Sequence, residues 1–254
     1  LIVWRVMEMR LKNSILIVGK LTLIAGLIVY LPTKVTNYNA QVINAIDSTD
    51  SQTVALNTDN SDFVATKDKK IHIYNTHQSE EYDGYDVVLG AGYLKECLNA
   101  MGYQCDVEAN DFENYKAVHN IAYNKSYTVS KMYLEESLKL TGGYDLVIDF
   151  HRDSISKELS TITHENKNYA KIMFVVGKSS GKFDAVNQLS QSLSDIANGM
   201  VPKISRGVYV KSSHYNQGTT DNMVLIEVGA QSNTKEEVQA TVDVIARTIG
   251  EYLG

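Results

Sequence analysis

Three short apolar runs in the sequence each stop at a residue suited to metal or acid–base chemistry. Ile71–Tyr74 leads to His77, Leu146–Phe150 leads to His151, and Met223–Ile226 leads to Glu227. Two imidazoles and a carboxylate or two are what a catalytic zinc needs, with a further position left open to water. In an open α/β sheet, ligands collect beyond the carboxyl ends of the strands, so these residues could meet at one site although they lie far apart in the chain.

Each motif also has a plainer reading. The segment Asn75–Tyr82 offers carboxylates at Glu80 and Glu81, three and four positions after His77, but exposed polar loops carry such pairs by chance. Asp149-Phe150-His151-Arg152-Asp153 gathers ionisable side chains at the end of an apolar strand and, taken alone, is equally a salt-bridge network around Arg152. Glu227 lies in the apolar run Val224–Val228, where an unpaired carboxylate is costly to bury. It is therefore paired with a cation, exposed at the strand's end, or working as an acid–base group. Tyr215-Asn216-Gln217 suits substrate hydrogen bonds and equally suits a turn. His72, His119, His164 and His214 read as surface residues, and Cys97 and Cys105 as buried free thiols. No Gly-rich phosphate loop and no Gly-x-Ser-x-Gly elbow occurs.

The elements that must position these residues alternate in type. Ile71–Tyr74, Tyr103–Val107 and Leu146–Phe150 read as strands. Val87–Met101, closed by Gly102, and Val129–Leu140, closed by Gly142-Gly143, read as helices. A turn at Asn166-Lys167-Asn168 precedes the strand Tyr169–Val176 in a hairpin-like arrangement. A helix over Phe183–Ala197, strands Val208–Val210 and Met223–Val228, and a last helix opened by the capping box Thr234–Glu237 complete the pattern. Strands alternating with helices imply crossover connections, hence an α/β domain with a mostly parallel sheet flanked by helices over residues 70–254.

Ahead of that domain, Ser14–Leu31 is an apolar run interrupted only by Lys20 and closed by Pro32. About 18 apolar residues suffice to span a bilayer, and the basic Arg10 and Lys12 before the run place residues 1–13 in the cytoplasm. The run lacks a small-residue cleavage site, which favours a retained anchor over a cleaved signal peptide. Residues 32–69 are polar and read as a flexible linker, so the expectation is a single-pass protein of the cell membrane with its domain on the outer side. A net charge of -6 without a basic stripe argues against nucleic acid as a partner.

The run Ile73–Tyr82, the pair Ser126-Tyr127, Asp149–Asp153, the strand Tyr169–Gly177, and Tyr215–Gln217 followed by Leu225–Gly229 resemble, in order, motifs of the stage II sporulation protein P family. The resemblance covers nearly all of residues 70–254, with an anchor and tether ahead of it as in that family. It implies a zinc-dependent N-acetylmuramoyl-L-alanine amidase of the amidase type 3 fold. Such an enzyme cuts the amide between N-acetylmuramic acid and L-alanine in peptidoglycan, and peptide cross-links as well, during engulfment of the forespore. It further implies zinc held by His77, Glu80 and His151, Glu227 as the acid–base group, and partners such as stage II sporulation proteins D and M. Within that mechanism Arg152 is a candidate clamp for an oxyanion or carboxylate, and Asp149 a candidate partner that orients a ligand. Asn75 stands where the family usually has the first histidine of His-Thr-His, Gly218-Thr219 where it tends to have Asp-Leu, and Ala230 where a second glycine is usual. The rival from another class is a membrane-tethered wall-binding scaffold that keeps the fold and hydrolyses nothing. A zinc carboxypeptidase or a polysaccharide deacetylase would use similar residues.

Overall fold

The computed structural model describes residues 66–254. The expected anchor over residues 14–31 and the linker as far as residue 65 lie outside the described residues. Among the described residues, no helix is long and apolar enough to cross a membrane.

The chain runs β1 (Lys70–Tyr74), α1 (Val87–Ala100), β2 (Gln104–Val107), α2 (Phe112–Val118), α3 (Ser126–Thr141), β3 (Leu146–Asp153), α4 (Lys157–Ser160), β4 (Thr161–His164), β5 (Lys167–Ala170), β6 (Ile172–Gly177), α5 (Phe183–Met200), β7 (Ser205–Lys211), β8 (Met223–Ala230) and α6 (Lys235–Leu253). A 3-10 turn at Tyr123–Lys125 leads directly into α3. The main sheet has six strands in the order β2-β1-β3-β8-β6-β7. Local chemistry sets the helix ends. The Asp86 side chain accepts from Leu89 N to start α1, Thr234 and Glu237 form the expected capping box on α6, and α3 ends at Gly142 with φ 77.

Four of the five strand pairings in the main sheet are parallel, but β6 lies antiparallel to β8. A parallel neighbour needs a crossover, usually helical. Between β3 and β6 the chain instead forms the one-turn α4 and the β4–β5 hairpin, so it re-enters the sheet running back alongside β8. The hairpin turn is Glu165-Asn166, both left-handed at φ 48 and 61, one residue earlier than the expected Asn166–Asn168. The expected strand Tyr169–Val176 is likewise two strands, split at Lys171 between the hairpin and the main sheet.

Strand alternation assigns the two faces of the sheet. Ile148 and Phe150 of β3, with Val224, Ile226 and Val228 of β8, enter the larger core beneath α1, α5 and α6. Val147 and Met223 face the other way, into a smaller core with Val129 and Leu134 of α3. Asp149, His151 and Glu227 continue that second face, and the register sets His151 directly beside Glu227. Hydrophobic patterning thus carries three ionisable residues to one place.

Gly229, two residues beyond Glu227, has φ 64, and a Cβ there would stand 2.7 Å from Asn233 Oδ1 and 2.8 Å from the Ala170 Cβ. Gly229→Ala is expected to destabilise the fold by about 1–3 kcal/mol, measured by urea unfolding, because it combines a disfavoured backbone with overpacking. Both hydrophobic cores are built from residues within 66–254. Residues 62–254 expressed alone are expected to give soluble protein that unfolds cooperatively. An aggregated product would show that the preceding segment belongs to the core.

Candidate active site

His77 and Glu80 sit on the loop between β1 and α1. Asn75 anchors that loop: it is buried, and its Nδ2 donates to Phe150 O at 2.6 Å and to Val87 O at 3.2 Å. The residue that departs from the family's His-Thr-His therefore ties the loop to β3 and α1. A turn in which Glu80 N donates to His77 O at 3.1 Å brings the Glu80 carboxylate back toward the sheet.

The two imidazoles meet edge to face, with ring centroids 5.4 Å apart. Glu80 Oε2 lies 3.4 Å from His151 Nδ1 and accepts from Arg152 N at 3.1 Å. Glu81 is exposed, so of the two candidate carboxylates only Glu80 faces the histidines. On its other side, His151 Nε2 is 2.7 Å from Asp149 Oδ1, close enough for ionic contact but poorly aligned for a hydrogen bond. Asp149 is wholly buried and is held by Thr76, whose N–H donates to Oδ1 at 3.0 Å and whose hydroxyl donates to Oδ2 at 2.8 Å. Aromatic rings wall the site. Tyr123 stacks on His77 at 4.7 Å, and Tyr127 meets His77 edge-on at 5.6 Å while lying parallel to His151 at 6.4 Å.

Burial and neighbouring charge separate the titrations of these groups. Burial, reinforced by His151, lowers the His77 pKa and so favours the neutral imidazole that a metal requires. Burial also opposes charge on His151, but Asp149, with Glu80 and Glu227, outweighs it and raises that pKa well above the ordinary value. Glu227 is raised to about 7, mainly by burial, with His151 pulling the other way. Burial raises Tyr127 strongly, so its hydroxyl stays protonated.

His77 Nδ1 and Glu227 Oε2 are buried with no hydrogen-bond partner. Buried polar atoms of this kind need an explanation such as a water, an ion or a catalytic role. Two imidazoles and a carboxylate form a zinc donor set, and the unpartnered His77 nitrogen fits a ligand role. As the side chains stand, no group of three or more His, Cys, Asp or Glu among the described residues is gathered closely enough to hold a metal.

Several expectations change. Arg152 is not the centre of a carboxylate network: its Nε donates to Glu81 O at 3.1 Å, and Asp153 pairs instead with Arg206. His72, expected at the surface, is buried against Tyr144 with Nδ1 2.8 Å from Asp106 Oδ1. Cys97 and Cys105 are both free, as expected, but only Cys105 is buried; Cys97 is half-buried. Tyr123 and Ser130 had no mark in the sequence to single them out, and Thr76 was marked only as part of the run around His77, because their roles depend on partners at least 46 residues away.

The fold and site define an α/β protein with two histidines and two carboxylates grouped on one face of a mostly parallel sheet, beyond β1 and along β3 and β8. The chain belongs to the stage II sporulation protein P family, whose model matches residues 32–250. It is 30% identical over 207 residues to stage II sporulation protein P of Bacillus subtilis (strain 168); the match covers 73% of this chain and 52% of that protein, so the chain spans about half the relative's length. Similar solved structures include the CwlD amidase of Clostridioides difficile in complex with the GerS lipoprotein, at 16% identity and a TM-score of 0.49, covering 73% of this chain and 98% of that one. Another is the N-acetylmuramoyl-L-alanine amidase AmiC2 of Nostoc punctiforme, at 13% identity and a TM-score of 0.46, covering 74% and 99%.

Proposed function

We propose that this protein is a zinc-dependent peptidoglycan hydrolase of sporulation that cleaves the amide between N-acetylmuramic acid and L-alanine, and peptide cross-links as well, during engulfment. Family membership supports the setting. The observation that carries the chemistry is the meeting of His77, Glu80, His151 and Glu227, with His77 Nδ1 and Glu227 Oε2 buried and unpartnered.

In this reading His77, Glu80 and His151 hold the zinc, which when bound supplies Lewis acidity, acidifying water and polarising the scissile carbonyl. Glu227 takes the proton of the attacking water and returns it to the leaving nitrogen; burial, which raises its pKa to about 7 in the zinc-free protein, moves it toward the range in which one group can do both. Asp149 holds His151 through Nε2 and leaves Nδ1 turned toward Glu80. The rings of Tyr123 and Tyr127 restrict water around His77. Arg152 is the proposed clamp for an oxyanion or a substrate carboxylate, acting from the rim because its guanidinium is tied to the Glu81 carbonyl. The anchor over residues 14–31 would hold the domain on the septal-wall side of the membrane, beside partners such as stage II sporulation proteins D and M.

Purified cell wall incubated with the protein, followed by product mass spectrometry and metal analysis of the same preparation, tests the proposal. Glycan strands freed of stem peptides, with new L-alanine amino termini and zinc in the protein, are expected. Release of only single residues or acetate would mark a carboxypeptidase or a deacetylase, and wall binding without soluble products would mark a scaffold.

A further inference from the structure

The polar groups beneath His151 form a chain whose direction follows from counting protons. A threonine hydroxyl carries one proton, and that of Thr76 goes to Asp149 Oδ2. In the 2.9 Å contact between Thr76 Oγ1 and Ser130 Oγ the donor is then Ser130, whose other acceptor, Tyr127 O, is more distant at 3.5 Å. With its own proton so placed, Ser130 accepts from Asn216 Nδ2, also 2.9 Å away. All four residues are buried, and the bonds run in one sense from Asn216 through Ser130 and Thr76 to Asp149, each polarising the next.

This chain joins four segments in one continuous line: the loop after β7, helix α3, the loop after β1, and strand β3. At its outer end Tyr215 and Asn216 are both left-handed, with φ 48 and 57, which is uncommon for residues other than glycine. Gln217 pins that loop, its Nε2 donating to Val175 O at 2.8 Å and its Oε1 accepting from Gly177 N at 2.7 Å. A disfavoured backbone held in this way delivers the Asn216 amide to Ser130 and sets the Tyr215 ring edge-on against Tyr127 at 5.5 Å. At the inner end, Asp149 Oδ1 sits against His151 Nε2.

We propose that Ser130 and Thr76 are positioning residues: the one-way chain Asn216–Ser130–Thr76–Asp149 fixes the His151 ring with Nδ1 toward Glu80, and couples that orientation to the loop bearing Tyr215. Its consequence for metal affinity rests on the reading of His77, Glu80 and His151 as zinc ligands; the ring orientation itself does not.

The test uses the full chain labelled with 15N-histidine, with imidazole NMR on zinc-free protein and zinc affinity by chelator competition. Thr76→Val keeps the shape and removes the hydroxyl, Thr76→Ser keeps the hydroxyl, and Ser130→Ala cuts the chain one residue further out. Zinc-free parent and Thr76→Ser are expected to show His151 in one ring state, with a single sharp pair of Nδ1 and Nε2 resonances. Thr76→Val and Ser130→Ala are expected to lose that signal and to weaken zinc binding about 10-fold or more, the range for partners that orient a metal ligand. The double variant should be no worse than Thr76→Val, because the chain is already cut. An unchanged His151 signal in both Thr76→Val and Ser130→Ala would overturn the proposal even if melting temperatures fell, and so would a Thr76→Ser protein that behaves like Thr76→Val. A parent that binds no zinc would end the zinc reading, while the imidazole signal in the same samples still decides the role of the chain.

Discussion

Glu227→Gln is expected to lower peptidoglycan hydrolysis about 100-fold or more while zinc content and wall binding persist. The amide keeps the shape and hydrogen-bonding reach of the carboxylate but cannot accept the water's proton. Burial raises the Glu227 pKa to about 7, so the carboxylate form gains population through neutral pH. That value belongs to the zinc-free protein, and bound zinc lowers it; the parent's activity should accordingly rise with pH along a limb below about 7, and this limb should be missing from the residual activity of the variant. Stability gives a second, independent sign. A carboxyl whose folded pKa lies above its unfolded value contributes stability that is fully present below the unfolded pKa and lost as pH rises through the folded one. Above pH 7 the charged, partly unpartnered Glu227 therefore weakens the zinc-free fold, and Glu227→Gln should melt no lower than the parent there. If Glu227 were instead a structural salt-bridge partner or a metal ligand, the same change would lower the melting temperature or the zinc content together with activity. Activity near the parent's would sink the catalytic assignment.

His77→Ala and His151→Ala are each expected to abolish zinc retention, because loss of one of three protein ligands leaves too few to hold the ion. The two variants should differ in stability. His77 packs mainly between the rings of Tyr123 and Tyr127, and its pKa is lowered, so its removal opens an apolar gap beside an intact carboxylate set. His151 lies between Asp149 and Glu80, and its removal leaves both carboxylates facing a cavity without a cationic partner. His151→Ala should therefore also melt well below the parent, since an uncompensated buried charge costs about 3–5 kcal/mol. Zinc must displace a proton from His151, whose pKa is raised, so the parent's affinity should fall as pH drops from 8 to 6. Full zinc occupancy in either variant, by metal analysis after dialysis, would remove that residue from the ligand set.

Periodicity and end signals in the sequence were enough to determine the larger elements: the strands before His77, through His151 and through Glu227, helices α1, α3, α5 and α6, and the capping box at Thr234. They also placed His151 and Glu227 on strands that share one open sheet, since alternation along β3 and β8 is a local property of each run. Short or polar elements were not legible in the same way. Helix α2 spans only seven residues and depends on Phe112 reaching the smaller core, and Lys171 divides β5 from β6 because one strand pairs in a hairpin and the other beside β8. These choices depend on partners that local sequence does not name.

The finer features of the site were decided by tertiary structure alone. Glu80 and Glu81 are equivalent by type and nearly so by spacing, and what separates them is that the turn after His77 aims Glu80 at His151 while Glu81 faces solvent. Arg152 adjoins Asp153 in sequence, yet Asp153 pairs with Arg206 on β7 and Arg152 turns to a backbone carbonyl on another loop. Asn216, Ser130, Thr76 and Asp149 are scattered through the chain and ordinary in type, and they become a directed hydrogen-bond chain only when four segments pack together. A sequence states which side chains can donate, accept or ionise. Which of them do so, and in which direction, depends on burial and on distances of about 3 Å that only the packed chain establishes.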